Sequence, residues 1–292
     1  MGSGPQAESR YREPGPAFGR AGPEVIGDTL IRLATENEWH LRELPEGTGC
    51  FKEERIVEFI FLLAEEWRLE QPARYQAVEL LERFMIKQVE QISKSSSKSV
   101  KHSEQRGGSS CSSLEDQLYN TFVLRLVSCV QLASKLSLHY NVNVSTPLAY
   151  VELLLEVLGY NGCLLPTKPL HQMCIELLDF SYLARDAIYD TLLKMAIENS
   201  TPSELQVAKF LTVKEDFMLL AVGIISTSVF VLNRGHWKQV VEHLNCITGI
   251  TSQSIQDFSY AVLEQVIGST TPRQWYRSCG TKALEHRTGP LQ

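Results

Sequence analysis

The 292-residue sequence predicts an all-α protein. Three observations carry that expectation. Apolar residues recur at intervals of three and four through most of the chain, the spacing that gives a helix one buried stripe. No stretch alternates apolar and polar residues for long enough to demand a strand. Proline and glycine stand where helices should begin and end, as at Pro72, Pro147, Gly159, Gly162, Gly235, Gly249 and Gly268.

Residues 1 to about 24 are rich in Gly, Pro and charge, a composition that cannot bury enough apolar surface to fold, and they are expected to be disordered. Asp28 reads as the N-cap of a short helix carrying Ile31, Leu33 and Ala34. A second helix is predicted from about Glu54 to Leu69, with Ile56, Phe59, Ile60, Leu63 and Trp67 on one face and Trp67 in the core. Pro72 opens a third, whose buried side holds Tyr75, Val78, Leu81, Met85 and Val89.

The serine-rich, basic stretch 93–113 interrupts this pattern and reads as a flexible surface loop. Phosphorylation and nuclear import are its functional readings, and a solvated insertion is the plainer one. Leu114 to His139 then reads as one long helix, with Leu118, Phe122, Leu126, Val130 and Ala133 at helical spacing. Pro147 starts a helix ending near Gly159. Further helices are expected at about 169–184 and 187–198, a short segment from Pro202 and Ser203, and helices at 214–233, 236–248 and 252–267.

Composition narrows the functions available. Apolar residues make up 43% of the chain, enough for a sizeable core, and the length suits about two domains. A net charge of -6 argues against a broad basic face for phosphate backbones. The seven cysteines are dispersed, without CxxC or Cys/His spacing, and read as reduced thiols rather than disulfides or metal ligands. The start is polar, without the apolar core of a secretory signal, and Phe217–Leu232 is too short to cross a membrane. The sequons at Asn143 and Asn199 are therefore taken as accidental. No phosphate loop, nucleophile–base pair or metal spacing emerges: Gly107 and its neighbours lack the lysine of a phosphate loop. Glu65, Glu66, Asp186 and Asp190 read as solvated helix faces, Arg185 and Asp186 as an exposed pair, and His139 and His171 carry no special signal. No catalytic residue, cofactor, metal or small-molecule substrate is expected.

Against this background a resemblance stands out. Residues 55–85, RIVEFIFLLAEEWRLEQPARYQAVELLERFM, resemble the opening of a cyclin box, in which an Arg- and Trp-containing helix leads to a second ending in Asp-Arg-Phe-Leu. Here that signature reads Glu82-Arg83-Phe84-Met85. LVSCVQLASKL at 126–136 is similar to the central helix of the box, with Ala133-Ser134-Lys135 at its Ala-Ser-Lys end. Segments 177–189, 216–233, 236–250 and 254–267 are similar, in order, to helices of a second cyclin fold. The resemblance to the cyclin family implies two tandem cyclin-type helical folds, at 25–144 and 145–268, followed by a tail at 269–292. Only ten residues separate Lys135 from Thr146, too few for the two helices the family places there, so the first fold is expected to be incomplete. Apolar residues of the 114–139 helix should then be exposed, and the chain should depend on partners for stability.

The resemblance also implies a function. Cyclins hold a kinase through a lysine, here Lys135, and through a glutamate whose helix is missing from this chain. A buried arginine–aspartate pair backs them. Glu82 stands at the aspartate position, Glu53 at the arginine position, and Arg55 two residues further on. Lys135, Glu82, Arg55 and Phe59 are the partner-binding residues so implied. The nearest resemblance is to a meiotic member of the family. It implies a nuclear, chromosome-associated regulatory or adaptor protein in crossover formation and cell-cycle progression, with a cyclin-dependent kinase and recombination factors as partners. The alternative is a nucleic-acid-associated helical domain of the transcription-factor cyclin type, which the acidic balance disfavours. An enzyme on a helical scaffold is the third reading.

Overall fold

The computed structural model describes residues 18–19, 22–100, 117–139, 145–162, 166–197 and 210–268, with backbone alone at 95–100 and 138–139. The expectations for 1–17, for most of the 93–113 loop, for the sequons, for Pro202 and Ser203 and for the 269–292 tail fall outside these residues. Every long element among the described residues is a helix. They are α1 Pro23–Arg42, α2 Glu54–Glu66, α3 Gln71–Val100, α4 Phe122–His139 and α5 Pro147–Tyr160. There follow α6 Thr167–Leu183, α7 Arg185–Ala196, α8 Phe217–Leu232, α9 Trp237–Thr248 and α10 Ser252–Gly268.

Helix α8 explains the second half of the molecule. Its sequence FMLLAVGIISTSVFVL is apolar on all sides, and every residue from Leu220 to Val229 is buried. A helix of that kind has no solvent face to offer and must sit at the centre of a bundle. It packs against α10, α5, α6, α9 and α1. Gly223 lets α10 approach closely, since a Cβ there would overlap the Phe258 ring. The hydroxyls this helix buries are satisfied: Trp237 Nε1 donates to Ser226 Oγ at 2.9 Å and Ser259 Oγ donates to it at 2.8 Å.

The first half is an α2–α3–α4 assembly in which α3 and α4 pack along each other. Val57, Ile60, Phe61, Tyr75, Val78, Leu81, Met85, Leu126, Val130 and Ala133 fill its interior. This interior runs without a break into the core around α8. Helix α1 does not close over the first half. It lies on α5 and α8, where Tyr150 Oη donates to Leu33 O at 3.0 Å. Asn37 completes the N-terminus of α8: its Nδ2 donates to Asp216 Oδ1 at 2.9 Å, and its Oδ1 accepts from Phe217 N at 3.1 Å.

Several expectations are corrected. Asp28 is an exposed interior residue of α1 rather than its N-cap, because Pro23 supplies the first-turn proline and Glu24 the first-turn acid. Ile31 is exposed. The buried face of α2 is Val57, Ile60, Phe61 and Ala64, so Phe59 and Trp67 turn outward at 40% and 39% exposure. Trp67 is the C-cap, followed by Arg68 at φ 52° and by Leu69, whose N donates to Ala64 O at 2.8 Å. Val89 is also exposed. Helix α3 runs on through Ser93 to Val100, where the sequence suggested a loop. Serine is only mildly unfavourable in a helix, and the preceding turns carry it. Residues 117–120 form a separate turn of helix before α4.

Candidate functional site

The most concentrated chemistry lies where the 43–53 connection meets α3, α7 and the residues before α8. Lys52, Glu79, Glu82, Arg185 and Glu215 are all buried there. Lys52 Nζ is 2.7 Å from Glu215 Oε2 and 3.0 Å from Glu79 Oε2. Arg185 Nη2 donates to Glu215 Oε1 at 2.6 Å and to Lys214 O at 3.1 Å. Tyr182 Oη donates to Glu79 Oε1 at 3.2 Å. Glu82 accepts from Phe51 N at 2.9 Å and from Gly49 N. Gly49 has φ 92°, a left-handed conformation that favours glycine, and it lies beside the Arg185 guanidinium and the Glu215 carboxylate.

Electrostatics ties these groups together. Burial works against the Glu215 carboxylate, but Lys52, His40 and Arg185 outweigh it and hold it down to about 2. Burial likewise opposes the charge on Lys52, and Glu215 with Glu79 more than offsets it, so the amine stays above its ordinary value. Glu82 is pushed upward by burial, with Lys52 and its two backbone donors opposing. The spaces beside the network measure about 20 Å³ and about 90 Å³. A small-molecule site takes about 300–1,000 Å³, so these groups face one another rather than a substrate. The network is a strut between the two halves.

The residues implied by the resemblance do not form one cluster. Glu82 is buried and braces the turn around Gly49 and Phe51 rather than facing a partner. Arg55 is exposed in the first turn of α2 and does not pair with it; the buried cation beside Glu82 is Lys52. Phe59 is exposed on α2 and Lys135 on α4. Ser137 Oγ donates to Glu70 Oε2 at 3.0 Å, which sets the last turns of α4 beside the end of α2. Arg55 therefore stands at the far end of a helix about 20 Å long from Lys135.

Arg185, expected as half of an exposed pair with Asp186, is buried on Glu215, while Asp186 lies in solvent 3.9 Å from Lys214 Nζ. His171 Nε2 is 3.1 Å from Glu152 Oε1, and its ring meets the edge of Phe18. Lys52, Glu79 and Glu215 were missed. Glu79 and Glu82 carried a usable signal: they sit three apart inside the apolar run of α3, next to Val78 and Leu81.

Outside the network the notable feature is apolar exposure on α4. Val123, Leu124 and Leu132 are 58%, 67% and 46% exposed, and Phe84 of α3 is 38% exposed beside them. Among the described residues, no group of three or more His, Cys, Asp or Glu is placed to hold a metal. None of the described helices is long and apolar enough to cross a membrane.

No family model matches the chain, and no solved structure matches it. Two curated proteins do. The chain is 48% identical to the mouse cyclin N-terminal domain-containing protein 1, over 87% of each chain. To the human protein of the same name it is also 48% identical, over 87% of this chain and 88% of that one. Identity at that level over that span, on an all-helical frame, places the chain among cyclin-like proteins: it belongs to the family of cyclin N-terminal domain-containing protein 1.

Proposed function

We propose that the chain is a non-catalytic, cyclin-like regulatory or adaptor protein that works by binding other proteins. The resemblance extends the proposal to crossover formation in meiotic recombination and to cell-cycle progression. A cyclin-dependent kinase and recombination factors are its partners, and the nucleus, on meiotic chromosomes, is its place of action. The observation that carries the reading is a division of labour. The buried charges are occupied with one another around Glu215, while α4 presents Leu124, Leu132 and the exposed Lys135 to solvent. Chemistry turned inward and apolar surface turned outward suit recognition rather than catalysis.

The test is recovery of partners from germ-cell extract on the wild-type chain and on Lys135→Glu, read by mass spectrometry. A cyclin-dependent kinase recovered by the wild type and lost from Lys135→Glu supports a cyclin-type interface. Recombination proteins recovered without a kinase support an adaptor. Recovery of chaperones alone overturns the proposal.

A further inference from the structure

Ahead of α1, Phe18 and Gly19 lie against the side of the bundle where α5 and α6 pack together. The Phe18 ring meets the His171 ring edge-on, with centroids 5.4 Å apart at 68°, and packs against the hydrophobic core. Gly19 N donates to Glu156, 2.7 Å from Oε1 and 2.8 Å from Oε2, so both oxygens of one carboxylate close on a single N–H. His171 is itself seated by Glu152, 3.1 Å away and one helical turn before Glu156 on α5. Two helices thus offer an aromatic shelf and a carboxylate clamp to a short stretch of main chain.

The chemistry of the face selects what lies on it. Glu152 and Glu156 stand four residues apart on one side of α5, a repulsive spacing for like charges. Among the described residues, neither has a lysine or arginine within ion-pair distance. Such a face favours an occupant that brings donors and positive charge, and Arg20 directly follows Gly19 in the arm. Gly19 has φ 80°, a left-handed conformation, yet nothing lies within 4 Å of where a Cβ would stand. The site therefore asks for glycine by backbone conformation and not by lack of room.

We infer that the face formed by Glu152, Glu156 and His171 docks an aromatic–glycine–basic segment of a partner protein, and that the chain's own Phe18-Gly19-Arg20 competes for it as an internal ligand. The inference rests on the proposed role in protein binding and adds a gate to it. Gly19 is exposed, and only residues 20–22 separate it from Pro23 at the start of α1. So short a tether holds the arm at an effective concentration of about a millimolar, enough to exclude a weak external segment. The arm's grip is one aromatic contact and one clamped N–H, so a tighter or multivalent partner displaces it. Binding of the partner and release of the arm are a single exchange.

The test uses the full chain, a full-length Phe18→Ala/Gly19→Pro variant and, as probe, a labelled synthetic peptide of residues 12–22. Proline removes the N–H that Glu156 accepts. Fluorescence anisotropy should show the variant binding the peptide at least about tenfold more tightly than the wild type, whose site is filled. Phe18→Ala alone, which leaves the backbone intact and decides the matter should the proline perturb α1, should show a smaller gain of the same sign. A peptide with Gly19→Ala should bind the variant more weakly, as should the original peptide when Glu156→Gln is added to the variant. The helical circular dichroism of each protein should match the wild type. Equal affinity of wild type and variant, no binding by either, or binding indifferent to Gly19 and Glu156 overturns the inference. So does a wild-type dimer in sedimentation that the variant dissolves, because the site then belongs to arms exchanged between two copies. If the peptide fails to bind while partners are still recovered from germ-cell extract, the inference fails and the proposed function stands.

Discussion

Lys52 and Glu215 are 163 residues apart in the chain and 2.7 Å apart in the molecule. The lysine comes from the connection between α1 and α2, and the glutamate from the residue before the N-cap of α8. Glu215 also holds Arg185, so one carboxylate neutralises two buried cations drawn from different parts of the chain. Removing it strands Arg185 without its carboxylate and leaves Lys52 to Glu79 alone. Glu215→Ala should therefore cost about 3–5 kcal/mol, the usual penalty for stranding a buried charge, read as a lower urea midpoint. Wild-type stability in this variant would refute the strut.

The pH profile follows from the same groups. Glu215 is depressed in the fold, so its contribution is present above the ordinary carboxylate value of 4.5 and is lost as pH falls through about 2. Lys52 is raised, so its contribution is present below 10.5 and is lost as pH climbs through its folded value. Glu82 runs the other way: its carboxyl is raised, and its contribution is present below 4.5 and fades as pH rises through its folded value. Urea midpoints should form a plateau bounded by an acid limb and an alkaline limb, with the acid limb softened by Glu82. Glu215→Gln should flatten the acid limb, and an unchanged limb would place the acid sensitivity elsewhere.

Gly223 and Phe258 define the closest approach of α8 and α10. Gly223→Ala forces the Phe258 ring to move in a packed interior and should cost about 1–3 kcal/mol despite alanine's better helix propensity. Phe258→Leu in the alanine background should recover part of that loss. A double-mutant cycle measures the coupling, and strict additivity would show that the ring is not the obstacle.

Arg68 occupies the left-handed position after the C-cap of α2, a place where glycine carries no Cβ penalty. Its N donates to Glu65 O at 3.0 Å, and that bond does not depend on the side chain. Arg68→Gly should stabilise the chain by about 1 kcal/mol, raising the melting temperature by roughly 2–4 °C.

Helix positions were legible where one rule dominates. The run Phe217–Leu232 is apolar enough to announce itself, and Pro147 and Pro72 mark their helix starts without competition. Helix α2 was misread by a rotation. It packs on α3, α4 and α6, so its buried surface is broad, and the stripe through Phe59 and Trp67 matched a helical period as well as the true one through Phe61 and Ala64. The buried charges resisted a different kind of reading. Sequence assigns Lys, Glu and Arg to solvent by default, and only the pairing of residues far apart in the chain makes burial affordable for Lys52, Glu79, Arg185 and Glu215. The exposed face of α4 was foreseeable from the short span between Lys135 and Thr146, whereas the hydrogen bonds from Arg125 to Thr121 and Gln88 were not.

The seating of α1 on α5 and α8 bears on how the protein is made. Asn37 finds its partners at Asp216 and Phe217, 179 and 180 residues later in the chain. At ribosomal rates of about 5–20 residues per second, those partners are synthesised roughly 10–40 s after Asn37 itself. Until α5 follows, with Tyr150 made 117 residues after Leu33, Ile26 and Leu33, both buried in the finished fold, lack the helices they rest on. Helix α1 is made well before the helices that house it, so the nascent chain is a natural client for chaperones that shelter exposed apolar segments.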